Sequence, residues 1–528
     1  MRIGRAGILS AALMLTTSAH VGNRNVVFQG EAGSYPLTVV IRPPEVVPGL
    51  AEISVRVEGE GVERITVQPT YWTTAPEDGA PRPDIAELVA GTADLYAAEL
   101  WLMTAGAYRV DVTVEGSAGG GVVSVPVTSI ATTVLDLPPG LGWVLVGLTL
   151  FLFFGAITIF GAAARESVLD ASETPDRRAR RRGWVAMAIG GLVVAVTAFG
   201  GKSWWDSVDQ AARSGLFQPL QVEAGAGTVG GVAVLDLAIT DPQWLERGYS
   251  PLVPDHGKMM HMFVVRSDMG AFAHVHPVPV DSASFRVAWP DLPPGEYRIY
   301  GDVVHETGFA QTVVDTVVVD AEVVTSRRES SGASTAEPDP TGALATIAPD
   351  ADDSAWAGSA VAEPDTGPAV ATLPDGSTLT WVRDGSPVVD EPTTLRFEFV
   401  GPDGSPDGLE LYMGMLSHAA VTRRDGAVFV HLHPTGTISM GSLGVLEARA
   451  EGDTTFRTNF GGPQGDYEFM RPELGGDGGE MPGMAGTDNA GVVEFPFAFP
   501  RDGDYTIWVQ VKRGGLVQTA AFETTVTD

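Results

Sequence analysis

The 528-residue sequence contains no cysteine. That absence removes disulfides, iron-sulfur clusters, thiol nucleophiles and the blue-copper site, whose thiolate ligand is obligatory. Any metal must be held by His, Met or carboxylate, and in an oxidising compartment such a chain relies on packing rather than cross-links. Positive charge is also scarce, with 33 Lys and Arg against 66 Asp and Glu and a formal net charge of -33. Nucleic acid phosphates are repelled by such a balance and cations are the more natural partners, although much of the charge serves solubility. No nucleophile-elbow spacing is present, and no Gly-rich phosphate loop follows a strand and opens a helix, so no catalytic set is read here.

The length predicts several domains rather than one core. Residues 1–19 carry a basic start (Arg2, Arg5), an apolar run and small residues at Thr17 and Ala19, the pattern of a secretory signal that leaves His20 at the mature terminus. Two apolar runs, 137–164 and 183–201, are long enough to be transmembrane helices. The loop between them, 165–182, holds Arg165, Arg177, Arg178, Arg180, Arg181 and Arg182. The positive-inside rule then puts that loop in the cytoplasm and both flanking regions outside the cytoplasmic membrane, with Trp143, Trp184, Trp204 and Trp205 as interfacial anchors. Neither span has an ionisable residue in its core, so the hairpin reads as a tether in the bilayer.

The rest is expected to be mainly β, in three immunoglobulin-like β-sandwich domains at 20–136, 217–324 and 370–528. A Gly-x-Tyr strand entrance recurs at Gly106, Gly295 and Gly503, as sandwich strands often begin. Residues 325–369 are rich in Ser, Ala, Gly, Pro, Asp and Glu and predict a disordered linker. A Gly-rich insertion over 461–491, with Met481 and Met484, predicts a long loop.

Histidine is used selectively. Eight of the nine lie in the last two domains. Residues 261–277 align without a gap on 418–434, with eight of seventeen positions identical: His261/His418, Val264/Val421, Arg266/Arg423, Asp268/Asp425, Phe272/Phe429, His274/His431, His276/His433 and Pro277/Pro434. Asp425-Gly426 between apolar strands predicts a two-residue type I′ hairpin that sets His418 opposite His433 with His431 diagonal. All three imidazoles then share one face of the sheet, and the same arithmetic pairs His261 with His276, where Asp268-Met269-Gly270 reads as a less definite turn or a longer loop. Ala419, Val421, Val428, Val430 and Leu432 fall on the opposite, core-facing side, which leaves the histidine face polar.

Six metal ligands follow: His261, His274, His276, His418, His431 and His433. Additional donors are His256, Met259, Met260, His305, Met413, Met415, Met440 and His20, the last through its ring and a freed α-amino group. Imidazole plus thioether in an exported, cysteine-free chain favours copper, as Cu(I) or Cu(II), and three histidines with a water also suit zinc. The blander alternative is a hydrogen-bonded histidine patch with methionine as core filler. Others are an envelope assembly or adhesion protein that binds a protein or glycan, and a redox enzyme using the copper.

The blocks His256-Gly-Lys-Met-Met-His261 through His274-Val-His276-Pro277, and Met413-Gly-Met415 through His431-Leu-His433-Pro434, resemble the YtkA-like and FixH-like exported bacterial domains. So do Gly308-Phe-Ala-Gln-Thr312 and Tyr505-Thr-Ile-Trp508-Val-Gln510. The resemblance spans some 200 residues and implies an immunoglobulin-like sandwich and copper or heavy-metal handling. The N-terminal domain resembles the family only loosely.

Overall fold

Alternating apolar residues make the chain mainly β, as expected, with two long apolar helices between the first and second β domains. The structure, a computed structural model, describes residues 25–74, 81–135, 137–170, 173–247, 250–325, 350–362, 367–383, 385–452 and 491–528. The expected signal segment, His20, linker residues 326–349 and the loop with Met481 and Met484 lie outside the described residues.

The described chain divides into two units, of which one holds the N-terminal domain and both C-terminal modules. The N-terminal domain is built of β1 (Val26–Ala32), β2 (Tyr35–Arg42), β3 (Gly49–Val57), β4 (Val62–Tyr71), β5 (Asp84–Leu88), β6 (Leu95–Leu102), β7 (Gly106–Gly116) and β8 (Gly119–Ser129). Its core gathers inward-facing residues such as Val39, Ile53, Val67 and Val112.

The first module contributes β9 (Val222–Val229), β10 (Val232–Ile239), β11 (Leu252–Val253), β12 (His261–Arg266), β13 (Ala271–Val275), β14 (Val278–Pro279), β15 (Ser284–Ala288), β16 (Gly295–His305) and β17 (Ala310–Val319). Strands β14-β15-β10-β9 make one sheet, and β12, β13, β16 and β17 belong to the other. Leu235, Phe285 and Trp289 meet Met262, Val264 and Ile299 in the core between them. The second module contributes β19 (Ala369–Thr372), β20 (Thr378–Val382), β21 (Pro392–Val400), β22 (Ser417–Arg423), β23 (Phe429–Leu432), β24 (Val492–Ala498), β25 (Gly503–Arg513) and β26 (Leu516–Val526). Its sheets run β19-β20-β21-β24 and β23-β22-β25-β26, packed through Leu379, Phe397, Val421, Val430, Ile507 and Phe522.

Each Gly-x-Tyr glycine opens a strand: β7, β16 and β25. The tyrosine hydroxyl is tied to backbone four residues upstream every time. Tyr108 accepts from the Thr104 amide at 3.0 Å, Tyr297 donates to the Pro293 carbonyl at 2.5 Å and Tyr505 to the Arg501 carbonyl at 2.8 Å.

The stretch expected to stay unordered as a linker contains β18 (Ser354–Ala357), which pairs with the outer edge of β13. Its polar composition hid a strand that gains its hydrogen bonds from an existing edge rather than from a core of its own.

The second unit holds α1 (Pro139–Glu166) and α2 (Arg177–Ser214), both long and apolar enough to cross a membrane. The arginine-rich segment differs from the expected loop. Arg165 lies in the last turn of α1, and Arg177 to Arg182 form the first turns of α2, because Asp176 caps that helix by accepting from the Ala179 amide at 2.7 Å. Two further helices, α3 (Pro242–Arg247) and α4 (Met440–Ala450), belong to the first and second modules.

A candidate metal centre between two modules

The hairpin arithmetic holds in both copies. Ala419 faces Leu432 and Ala420 faces His431 across β22 and β23, the register that sets His418 opposite His433. Met262 faces Val275 across β12 and β13, which sets His261 opposite His276. The Asp425-Gly426 turn is not type I′. Both hairpins close through a four-residue loop with one left-handed residue, Gly426 at φ 77 and Met269 at φ 64. A four-residue loop centred on the same point leaves the register unchanged. The repeated Arg and Asp build it: Asp268 and Asp425 accept from the amides of Gly270 and Ala427, and Arg266 and Arg423 pair with those carboxylates.

The histidine face is not a solvated polar face. Between the imidazoles it carries Phe263, Val265, Phe272, Ala420, Phe429, Tyr300 and Trp508, which pack against one another across the junction of the two modules. The junction is pseudo-twofold. Phe272 of β13 stacks on Trp508 of β25 with ring centroids 4.7 Å apart, and Phe429 of β23 stacks on Tyr300 of β16 at 4.3 Å. Tyr300 stands opposite Phe263, as Trp508 stands opposite Ala420, so the two stacks are the same contact made twice. Likewise His274 reaches Gln510 of the other module at 2.9 Å, and His431 lies 3.5 Å from Asp302.

This packing redistributes the predicted trios. His261, His274 and His276 offer ring nitrogens within 4.8 Å of one another, as their hairpin geometry predicts. The second trio is different: His418 and His433 are joined by His256 of the first module, again within 4.8 Å. His431 stands between the groups, its ring 5.2 Å from His261, 5.4 Å from His274, 5.5 Å from His418 and 4.4 Å from His433.

Local devices aim these rings. His256-Gly257 forms a tight reverse turn, with φ 49 and 78, closed by paired backbone bonds between Asp255 and Lys258. The Asp255 carboxylate accepts from the Gly441 amide of α4, which pins the turn onto the second module. His433 Nδ1 donates to the Ile438 carbonyl at 2.9 Å, leaving Nε2 to face the cluster. The chain after His433 turns at Gly436 (φ 115), where any Cβ would stand 2.0 Å from the Val27 carbonyl oxygen of the N-terminal domain, so only glycine fits. Asp353, just before β18, accepts from both the backbone amide and Nδ1 of His276. A carboxylate on the rear nitrogen is the usual way a protein orients a metal-binding imidazole.

The polar accounting of this junction does not close. His256 Nδ1 and Nε2, His418 Nδ1 and Nε2, and Nε2 of His276, His431 and His433 are buried without a hydrogen-bond partner. His261 presents Nδ1 to His274 Nε2 at 3.1 Å and Nε2 to the Asp255 carbonyl at 3.1 Å. If Nε2 donates to the carbonyl, and His274 Nδ1 to Gln510, the lone pairs of His261 and His274 point at each other. If His274 Nδ1 instead accepts from the Tyr412 hydroxyl, its Nε2 donates to His261 Nδ1 and a neutral His261 serves both neighbours, so the unsatisfied nitrogens are those of His256, His276, His418, His431 and His433. Burial, reinforced by the neighbouring imidazoles, holds His261, His274, His418 and His431 well below the usual histidine pKa, and His433 is brought down to about 4. These five rings are thus held in the neutral form that ligates metals. Burial pushes Asp302 up to about 7, against the pull of its hydrogen bond from Thr312.

The other predicted donors fall elsewhere. Met259 and Met260 pack into the first module's core. Met440 opens α4 and packs against the N-terminal domain's core, because Ile438 and Leu443 carry the helix there. Met415 is buried just after the turn that holds Met413. His305 sits apart, against Trp244 and Phe309 and 2.6 Å from Gln311; burial lowers it to about 4. Met413 occupies the turn equivalent to His256, with φ 51 against 49. Sequence reasoning missed Asp302, Asp353, Tyr412 and Gln510, the residues that hold the histidines from behind. Tyr412 contacts His274 Nδ1 at 3.0 Å, but none of the four lies in the repeated block.

Residues 220–321 and 371–471 each match the profile of a family described as a domain of unknown function, DUF8832. The two modules are therefore similar to one and the same domain. No curated protein matches. Among solved structures, the chain is similar to an engineered protein at 21% identity, covering 17% of this chain and 19% of that one, with a TM-score of 0.14. A 1.5-MDa bacterial ice-binding adhesin matches at 6% identity over 91% of both chains, TM-score 0.14. Dimeric latent PorU from Porphyromonas gingivalis matches at 9% identity over 95% of this chain and 34% of its own, TM-score 0.14.

Proposed function

We propose that this is an exported, membrane-anchored protein that binds copper between its two C-terminal modules, for buffering, delivery or sensing outside the cytoplasm. The observation that carries the reading is the set of buried, unpartnered imidazole nitrogens converging from both modules. Each unsatisfied buried nitrogen costs about 1–3 kcal/mol, and neutral imidazoles with converging lone pairs are what a soft or borderline cation needs. The 3.1 Å separation of His261 Nδ1 and His274 Nε2 is near the spacing of two nitrogen ligands on one tetrahedral ion, given bonds of about 2.0–2.1 Å. A hydrogen-bonded histidine patch would also pair the buried nitrogens of His256, His276, His418, His431 and His433 that here have no partner.

The three β domains are read as immunoglobulin-like sandwiches, which the tyrosine ties at Tyr108, Tyr297 and Tyr505 support. The arginine-rich start of α2 supports a cytoplasmic connection between the helices, with the β domains on the far side of the membrane. The YtkA-like and FixH-like resemblance of the histidine blocks points to the same metal handling. Elemental analysis and competitive Cu(I), Cu(II) and Zn(II) titration of the full chain test the reading. Stoichiometric copper that is reduced or weakened in His418→Ala/His433→Ala is the expected result, and unchanged uptake and affinity in that variant would overturn it.

A further inference from the structure

The two trios are not separate sites. His256 of one lies 6.1 Å, ring to ring, from His261 of the other, and His274 lies 6.5 Å from His418. His431 belongs to neither trio, yet it is in ring contact with members of both, and its buried Nε2 has no partner. Its other nitrogen, Nδ1, is 3.5 Å from Asp302, which fixes the ring with Nε2 toward the histidines.

Charge decides what such a cavity can hold. Three carboxylates face the imidazoles. Asp255 lies beside His256, Asp302 beside His431, and Asp353 is hydrogen-bonded to His276 at the rim. Asp350 and Asp352 next to Asp353 are answered by Lys258 and Lys512. With two univalent ions the three facing carboxylates leave the site neutral or with one negative charge in excess, according to the Asp302 proton, and never positive. Two divalent ions would leave a surplus of positive charge where little water screens it, and like charges at short range in a low dielectric repel strongly.

Resting on the copper reading above, we infer that the seven imidazoles form one two-ion centre for Cu(I), one ion per trio, with His431 completing the coordination of the ion held by His256, His418 and His433. The centre then discriminates by valence: it fills twice with a univalent soft ion and only once, tightly, with a divalent one.

The test uses the full chain in detergent, titrated anaerobically with Cu(I) against a chromogenic competitor and in parallel with Zn(II). Two tight equivalents of Cu(I) are expected, with Zn(II) binding one tight equivalent and a second weaker by roughly 100-fold or more. His431→Ala is expected to retain one Cu(I) and lose or weaken the other. A single Cu(I) equivalent in the native sequence would overturn the two-ion centre while leaving the copper reading intact. So would two Zn(II) equivalents of equal affinity, or a His431→Ala variant that fills twice unchanged. Failure of the native chain to take up copper at all would overturn both.

Discussion

His256 and His433 belong to different modules, and their rings lie 5.1 Å apart in the buried junction. The contact exists because the His256-Gly257 turn is held at positive φ and pinned to α4 through Asp255. Neither module alone presents that combination of donors, so metal binding and module docking are linked.

Replacing His256 with glycine separates ligation from folding. The position has φ 49, which glycine adopts without strain, and the ring it removes has two unpartnered nitrogens. His256→Gly is expected to keep or raise the melting temperature of the metal-free protein. Its copper affinity should fall by more than the roughly 10–100-fold typical of an outer-shell loss. Calorimetry and competitive titration on the same preparation check both halves, and a destabilised variant with native affinity would contradict them.

Asp353→Asn keeps the shape of the side chain but removes the anionic acceptor of His276 Nδ1. Affinity for copper should drop by about 10–100-fold with no change in the number of ions bound. Retention of full affinity would mean that the β18 strap braces the fold without tuning the ligand.

Trp508 is buried against Phe272 across the junction. Trp508→Ala should cost about 3–5 kcal/mol in urea unfolding, and it should weaken copper binding although every histidine remains. A variant with loosened stability but intact affinity would show that the trios assemble without the docked modules.

The acid limb of stability carries a sign that can be checked. His433 has an ordinary pKa of 6.5 when unfolded and about 4 when folded, so the unfolded state binds more protons between those values. Stability contributed by the neutral ring is present above pH 6.5 and is lost as pH falls toward 4, by on the order of 3 kcal/mol for this one group. The metal-free protein should therefore weaken between pH 7 and 5, and His433→Asn should flatten that slope. Urea midpoints across the range, with identical slopes for both proteins, would refute the assignment.

Much of the fold and half of the site could be read from residue order. Strand alternation, the two apolar helices and the hairpin register came from local pattern, and register survived a wrong turn type because both loops are centred on the same residue pair. The docking of the modules did not. A signal for it was present: Phe263, Phe272, Ala420 and Phe429 share strand parity with the histidines, and β12, β13, β22 and β23 are apolar on both faces, which marks strands covered on both sides. Reading the histidine face as polar hid that. His256 was seen as a donor, but its crossing to His418 and His433 depends on tertiary contacts between residues some 160 or more apart, which no local period encodes. The linker strand β18 was lost for a related reason, since its partner edge lies far away in sequence.

The most direct measurement is anomalous diffraction at the copper edge from crystals of the copper-loaded chain. Copper peaks within bonding distance of His256, His418 and His433 together, and of His261, His274 and His276, are predicted. Copper bound only at surface carboxylates, or no peak between the modules, would contradict the account.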